Sequence, residues 1–260
     1  MSADPAAAPA VPTTAPSPLA FTPITTRDVS EQVILELVNS IRRAELEPGD
    51  RLPNLPELAA ELGVARDNAR RALHALAREG VVEIRPGRYG GTVMRDRSGI
   101  PRALERVLGP SLTAAGAWEH LIEARRLLQS AAARLLATTG NPRGLARLER
   151  HLSDMRAHVA GDAYSAALYD GIELACATAV HCGNPVIGDM LLRVMDRLSV
   201  LGVMMRIDRD SGVEVVTGSL DAQERLVDAI RAGDGAGIDA AMAEQLRLTT
   251  RVVDETRASG

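Results

Sequence analysis

Residues 48–93 read PGDRLPNLPELAAELGVARDNARRALHALAREGVVEIRPGRYGGTV, and this stretch decides the fold. From Pro56 to Leu62 the apolar residues Leu58, Ala59 and Leu62 recur at helical spacing, and Gly63 ends the run as glycine commonly ends helices. Val64 is the apolar plug expected between two helices that cross steeply. A second helix is predicted over Arg66–Glu79, with Ala69, Ala72, Leu73, Leu76 and Ala77 as its buried stripe. Arg66, Asn68, Arg70 and Arg71 crowd its first two turns. Gly80 stops it, and Val81–Ile84 and Thr92–Met94 then flank the turn RPGRYGG. The order is helix, turn, arginine-studded helix and glycine-closed hairpin: a winged helix-turn-helix.

That order points to DNA. The N-terminal residues of a second helix placed in this way reach base edges in the major groove. Arginine pairs bidentately with guanine and asparagine with adenine, so the side chains suit readout. Arg85 and Arg88 on the wing, Arg51 ahead of the first helix and Gly90 in the turn are placed for phosphate or minor groove. The plain alternative is a solvated arginine face. Between residues 65 and 90 six arginines stand against three acids, and the elements follow in the right order, which favours DNA.

The same residues resemble the DNA-binding domain of the GntR family of bacterial transcription regulators. The likeness runs over roughly residues 29–94: PGDRLP, ELAAELGV, the pair Arg66 and Arg70, ALxxLxxEG and the glycine wing. It implies that Arg66 and Arg70 touch DNA. The chain departs from the family at Asn54-Leu55-Pro56, where a Ser-Glu-Arg with a DNA-contacting arginine is usual. Ala65 replaces a Ser or Thr N-cap worth about 1 kcal/mol. Asp67 partly compensates through the helix dipole. Arg71 stands where an acid is usual.

Composition sets the frame. The 260 residues suffice for two domains, and 46% hydrophobic content supports buried cores. Residues 1–25, rich in Ala and Pro with no basic residue before Arg27, read as a disordered tail rather than a secretory signal. All 30 basic residues are arginine. Cys176 and Cys182 fit no metal or disulfide spacing, so a reduced cytoplasm is expected, with the protein nucleoid-associated when on DNA. No apolar run reaches membrane-spanning length. The formal net charge is −4, yet residues 26–98 hold 12 arginines and 12 acids, so DNA binding would rest on a local patch and fall steeply with salt.

After a winged-helix domain over 26–95 and a polar linker at 96–101, residues 102–258 read as an antiparallel helical bundle. Helical segments are expected near 102–109, 116–138, 142–159, 162–182, 185–207, 219–232 and 235–257. Turn signals at Gly140-Asn141-Pro142, Gly161-Asp162, Gly183-Asn184-Pro185, Asp210-Ser211-Gly212 and Gly233-Asp234-Gly235 separate them. The fold class is thus mainly α, a winged helix-turn-helix followed by an all-helical domain. LIEARRLLQSAAARLLA, HCGNPVI, LVDAIRAGD and AAMAEQL resemble the FadR-type (FCD) effector domain of the same family. That domain commonly holds a metal through an Asp and three His. The corresponding slots here are Gly171, Ala175, Gln223 and Gln245, so no metal or other cofactor is expected.

The five histidines give no i, i+4 pair. His151 and His158 lie seven apart, near one face, and would meet only if their helix bent. Arg125 takes the place of an effector-binding arginine in the resemblance, suited to a carboxylate ligand. A structural salt bridge to Asp170 or Glu173 is the equal alternative. Gln223 and Gln245 could bond an organic ligand or water. Together Arg125, Asp170, Glu173, Gln223 and Gln245 form the candidate effector site. The reading that follows is a homodimeric, ligand-responsive regulator of the repressor kind, acting on a double-stranded operator and not at a membrane. A bundle that only dimerises is the second reading. A helical enzyme is the remote third, supported by no nucleophile–base pair or phosphate loop.

Overall fold

The computed structural model describes residues 28–87, 90–115, 118–204 and 209–258, with side chains described except at 110–115, 201–204, 209–212 and 252–258. The tail at 1–25 and the wing residue Arg88 lie outside the described residues.

The chain opens with α1 (Val29–Arg43), capped by the Asp28 carboxylate, which accepts from the Ser30 amide at 3.1 Å. Val33, Ile34, Leu37, Val38 and Ile41 make a 3–4 spaced stripe and are buried. Next come α2 (Leu55–Glu61), α3 (Arg66–Arg78), and the hairpin β1 (Val82–Arg85) and β2 (Gly91–Met94). The strands pair antiparallel with Val82 opposite Met94 and Arg85 opposite Gly91. Arg51 bridges to Val93 on the free side of β2, adding a short third rung.

The segment expected as a polar linker is packed instead. Residues Arg97–Gly99 form a 3-10 turn that runs directly into α4 (Ile100–Ala115). Gly99 approaches so closely that a Cβ there would lie 2.0 Å from the Glu79 carbonyl oxygen. Ile100, Leu104 and Leu108 join the same core as α1 and α3, together with Val200 from farther along the chain. The reader's core therefore does not end at the domain boundary read from the sequence.

Six further helices follow: α5 (Trp118–Thr139), α6 (Pro142–Ala160), α7 (Tyr164–His181), α8 (Pro185–Met204), α9 (Arg209–Ala232) and α10 (Gly235–Ala258). Among consecutive helices α6 packs on α7, α7 on α8 and α9 on α10, while α5 packs mainly on α8 and α10, as in a bundle. Asn141 and Asn184 cap α6 and α8 with their side-chain oxygens, as the Gly-Asn-Pro turns predict. The turn expected at Asp210-Ser211-Gly212 is absent: those residues lie in the first turn of α9. Helix α7 packs against α1, α5, α6, α8 and α9. Its small residues, including Ala167, Ala175, Cys176, Ala177 and Ala179, allow close approach on several sides, and all are buried.

Candidate nucleic-acid interface and bundle interior

The reading surface follows from how α2 and α3 are capped. Asn54 closes α2 with a reciprocal capping box, its side chain accepting from the Glu57 amide and Glu57 accepting from the Asn54 amide. Asn54 thus fixes the start of the bracing helix, two residues ahead of Pro56, which stands where the family's DNA-contacting arginine is usual. Ala65 at the head of α3 makes no side-chain cap, as expected.

Ala69, Ala72, Leu73 and Leu76 bury one face of α3, which turns Arg66, Asp67, Arg70, Arg71 and His74 outward. Arg70 donates to Asp67 at 2.6 Å, Arg71 donates to Asn68 and lies 3.6 Å from Asp28, and Arg66 has no partner among the described residues. On the wing, Arg85 pairs with Glu83 at 3.0 Å. Gly90 is required by space, since a Cβ would fall 2.1 Å from the Arg85 carbonyl oxygen. Arg51 is exposed at the wing's base and reaches towards the Gly90 carbonyl. A groove lined by Asn54, Arg70, His74, Ile84 and Thr92 runs between α2, α3 and the hairpin. His74, Asn54 and Thr92 were not singled out as site residues from sequence, because only the folded wing brings them alongside Arg70.

In the bundle the candidate effector residues separate into distinct settings. Arg125 on α5 is buried and donates to the Gln129 side-chain oxygen at 3.0 Å. Among the described residues no carboxylate pairs with it, so the salt bridge to Asp170 or Glu173 considered above does not form. Those acids are engaged elsewhere: Asp170 with His158, Glu173 with Arg42 and Arg97. Burial pushes Arg125 down to about 10, which still leaves it charged at neutral pH. Gln129 Nε2 and Gln223 Oε1 are also buried without partners among the described residues. Gln223 Nε2 sits 3.5 Å from the Gly171 carbonyl, and Gln245 exchanges hydrogen bonds with Ser219 at 3.0 and 3.2 Å.

The positions at which the family holds a metal do not fit one here. Gly171 and Ala175 offer no side-chain ligand. Gln223 and Gln245 are neutral amides, poor substitutes for imidazole on a transition metal. A different set converges between α6 and α7: ligand atoms of His151, Asp154 and Asp170 all lie within 4.8 Å of one another. His158 Nδ1 is 2.6 Å from Asp170 Oδ2. His151 and His158 thus each lie near the same aspartate of the neighbouring helix. Burial pushes His151 down to about 4 and Asp170 up to about 6, the latter opposed by His158.

Reader and bundle are joined by buried charge. Arg42 of α1 reaches Glu173 at 3.3 Å and Asp196 of α8 at 2.5 Å, and Asn39 donates to Asp196 at 3.2 Å. Arg97 approaches Glu173 at 3.8 Å and donates to the Leu46 carbonyl, while the Tyr169 hydroxyl donates to the Arg97 carbonyl at 2.6 Å. Around this hub, Glu45 binds His181 and Arg143, each at 2.7 Å, and Glu47 binds Arg147. Glu173, expected at an effector site, is an anchor for the reader.

Comparison with known proteins agrees with this division. Residues 29–92 match the pattern described as bacterial regulatory proteins, gntR family, and residues 120–248 match the FCD domain. The HTH-type transcriptional regulator LutR of Bacillus subtilis is 30% identical over 79% of this chain and 92% of its own length. The HTH-type transcriptional repressor NanR of Cronobacter sakazakii is 28% identical over 86% of this chain and 85% of its own. The solved Streptococcus agalactiae GntR, 28% identical over 85% of this chain and 99% of its own, superposes only loosely, with a TM-score of 0.44. A winged reader and an all-helical domain that match these two family patterns, with LutR and NanR as relatives, define a DNA-binding transcription regulator rather than an enzyme. The chain belongs to the GntR family, in the branch that carries an FCD domain.

Proposed function

We propose that the protein is a homodimeric repressor whose α3 residues Arg66, Asn68, Arg70 and Arg71 read operator bases. Arg51, Arg88 and Gly90 meet the DNA backbone, and a small carboxylate held by Arg125 controls binding. Two readers are needed because one covers only a few base pairs, while a linked pair multiplies affinity. GntR-family regulators bind DNA operators and are generally dimeric, and the relatives named repressors support that direction of control.

The observation that carries the ligand is Arg125. A buried guanidinium without a carboxylate partner is costly, and a bidentate ligand carboxylate would offset that cost. Buried Gln129 and Gln223, each with an unbonded polar atom, suit a ligand that brings its own donors and acceptors. The anchor residues on α7 supply a route from bundle to reader, provided ligand binds two arrangements unequally.

The test is thermal unfolding against a panel of small carboxylates. A true effector at 100 times its Kd stabilises by roughly 2.7 kcal/mol, and Arg125→Met removes the response. If no carboxylate shifts the transition, or Arg125→Met responds as the parent does, the effector reading fails.

A further inference from the structure

His151 is buried to more than nine-tenths, and neither ring nitrogen has a hydrogen-bond partner among the described residues. An imidazole so placed wants a donor, an acceptor or a cation. Its neighbours in the cluster are two carboxylates, Asp154 three residues on along α6 and Asp170 across on α7. Asp154 is exposed and also unpaired among the described residues, so it opens the cluster to solvent. A buried base, a buried acid and a solvent-facing acid, two of them unengaged, form more than an acidic patch.

We propose that His151, Asp154 and Asp170 bind a divalent transition-metal ion of the Zn2+ or Mn2+ kind, at a site between α6 and α7. It is distinct from the bundle positions Gly171, Ala175, Gln223 and Gln245.

The donor chemistry fits. One imidazole and two carboxylates form a borderline N/O set, whereas all-oxygen sets favour Mg2+ or Ca2+. Ligand atoms each about 2.1 Å from a cation are at most about 4.2 Å apart. The observed 4.8 Å limit therefore lies within about 0.6 Å of that span, so the three ligand atoms need only small side-chain adjustments to share one ion. Three protein ligands leave positions for water, and the solvent-facing side gives an entry path. His158 supplies the outer support, because its ring nitrogen on Asp170 Oδ2 orients that carboxylate. The site uses none of Arg125, Gln129 and Gln223, so it stands whether or not a carboxylate effector exists.

The test is equilibrium dialysis of the full chain, stripped with chelator, against Zn2+ alone and Mn2+ alone, with bound metal quantified by mass spectrometry. One ion per chain is expected. Asp154→Asn, at an exposed position that contributes little to folding, should weaken binding at least tenfold without altering the circular dichroism melting of the metal-free protein. His151→Gln should do the same. His158→Ala should cost about 10- to 100-fold, as an outer-shell partner does. Failure to retain stoichiometric metal, or parental affinity in both Asp154→Asn and His151→Gln, overturns the site.

Discussion

The same residue type sits in opposite settings at the two ends of the reader. Arg70 on α3 faces solvent with its side chain 54% exposed, and its partner Asp67 is 81% exposed. Arg42 on α1 is 1% exposed and sits between Glu173 and Asp196, themselves nearly buried. An exposed pair is worth about 0–1 kcal/mol, so Asp67 can hand Arg70 over to a base or phosphate at little cost. A buried pair is hard to break, because the partner left behind is an uncompensated charge. Exposure makes one arginine available for recognition. Burial makes the other a fixed joint between reader and bundle.

The largest effect should come from the joint. Arg42→Met leaves buried Asp196 with no cation, only the Asn39 hydrogen bond, and leaves Glu173 only the more distant Arg97, so a loss of about 3–5 kcal/mol in urea unfolding is expected. A loss within that of an ordinary surface substitution would break the comparison. Next in size is the reading face. Arg66→Ala should weaken operator binding by about 1–3 kcal/mol and relax base preference at one position, while leaving the melting temperature unchanged. Smaller still, Ala65→Ser gives α3 the cap it lacks and should raise stability by about 1 kcal/mol. No gain would mean that the α3 terminus is already satisfied in another way.

The smallest expected effect is an acid response at the rim of the joint. The Glu45 carboxyl is held below its ordinary value near 4.5; burial opposes this, but hydrogen bonds from His181 and Arg143 prevail. A depressed carboxylate contributes stability that is fully present above the ordinary value and lost as pH falls through the folded one. Unfolding followed from neutral pH downwards should therefore show stability declining below about 4.5, and Glu45→Gln should flatten that decline. An identical acid profile in the variant would remove Glu45 from the account.

The parts of the molecule legible in the sequence are those fixed by local signals. Gly63, Gly80 and the alanine–leucine stripe of α3 bound the helix-turn-helix within a residue or so, and the Gly-Asn-Pro turns place α6 and α8. What escaped depends on contacts between distant elements. Arg42 and Glu173 are 131 positions apart, so nothing local marks either as a partner of the other. Taking Glu173 and Asp170 as neighbours of Arg125 failed for the same reason: a helix face gives spacing but not which neighbour lies across it. The sequence puts His151 and His158 on one helix face, but that Asp170 of α7 lies beside both depends on how α6 and α7 pack. Asp210-Ser211-Gly212 opens a helix, yet a Ser-Gly pair at a helix start looks in sequence like one in a loop. The polar composition of 96–101 hides Gly99 and Ile100, both packed inside.

A locally charged, overall neutral reader is expected to bind DNA through the exposed arginines of α3. Fluorescence anisotropy with the promoter region beside the protein's own gene, titrated across salt concentrations, tests it most directly. The expected result is saturable, sequence-preferring binding whose affinity falls log-linearly with salt, at least tenfold weaker in Arg66→Ala. Binding that is absent at moderate salt in folded protein, or indifferent to Arg66→Ala and Arg70→Ala together, would contradict it.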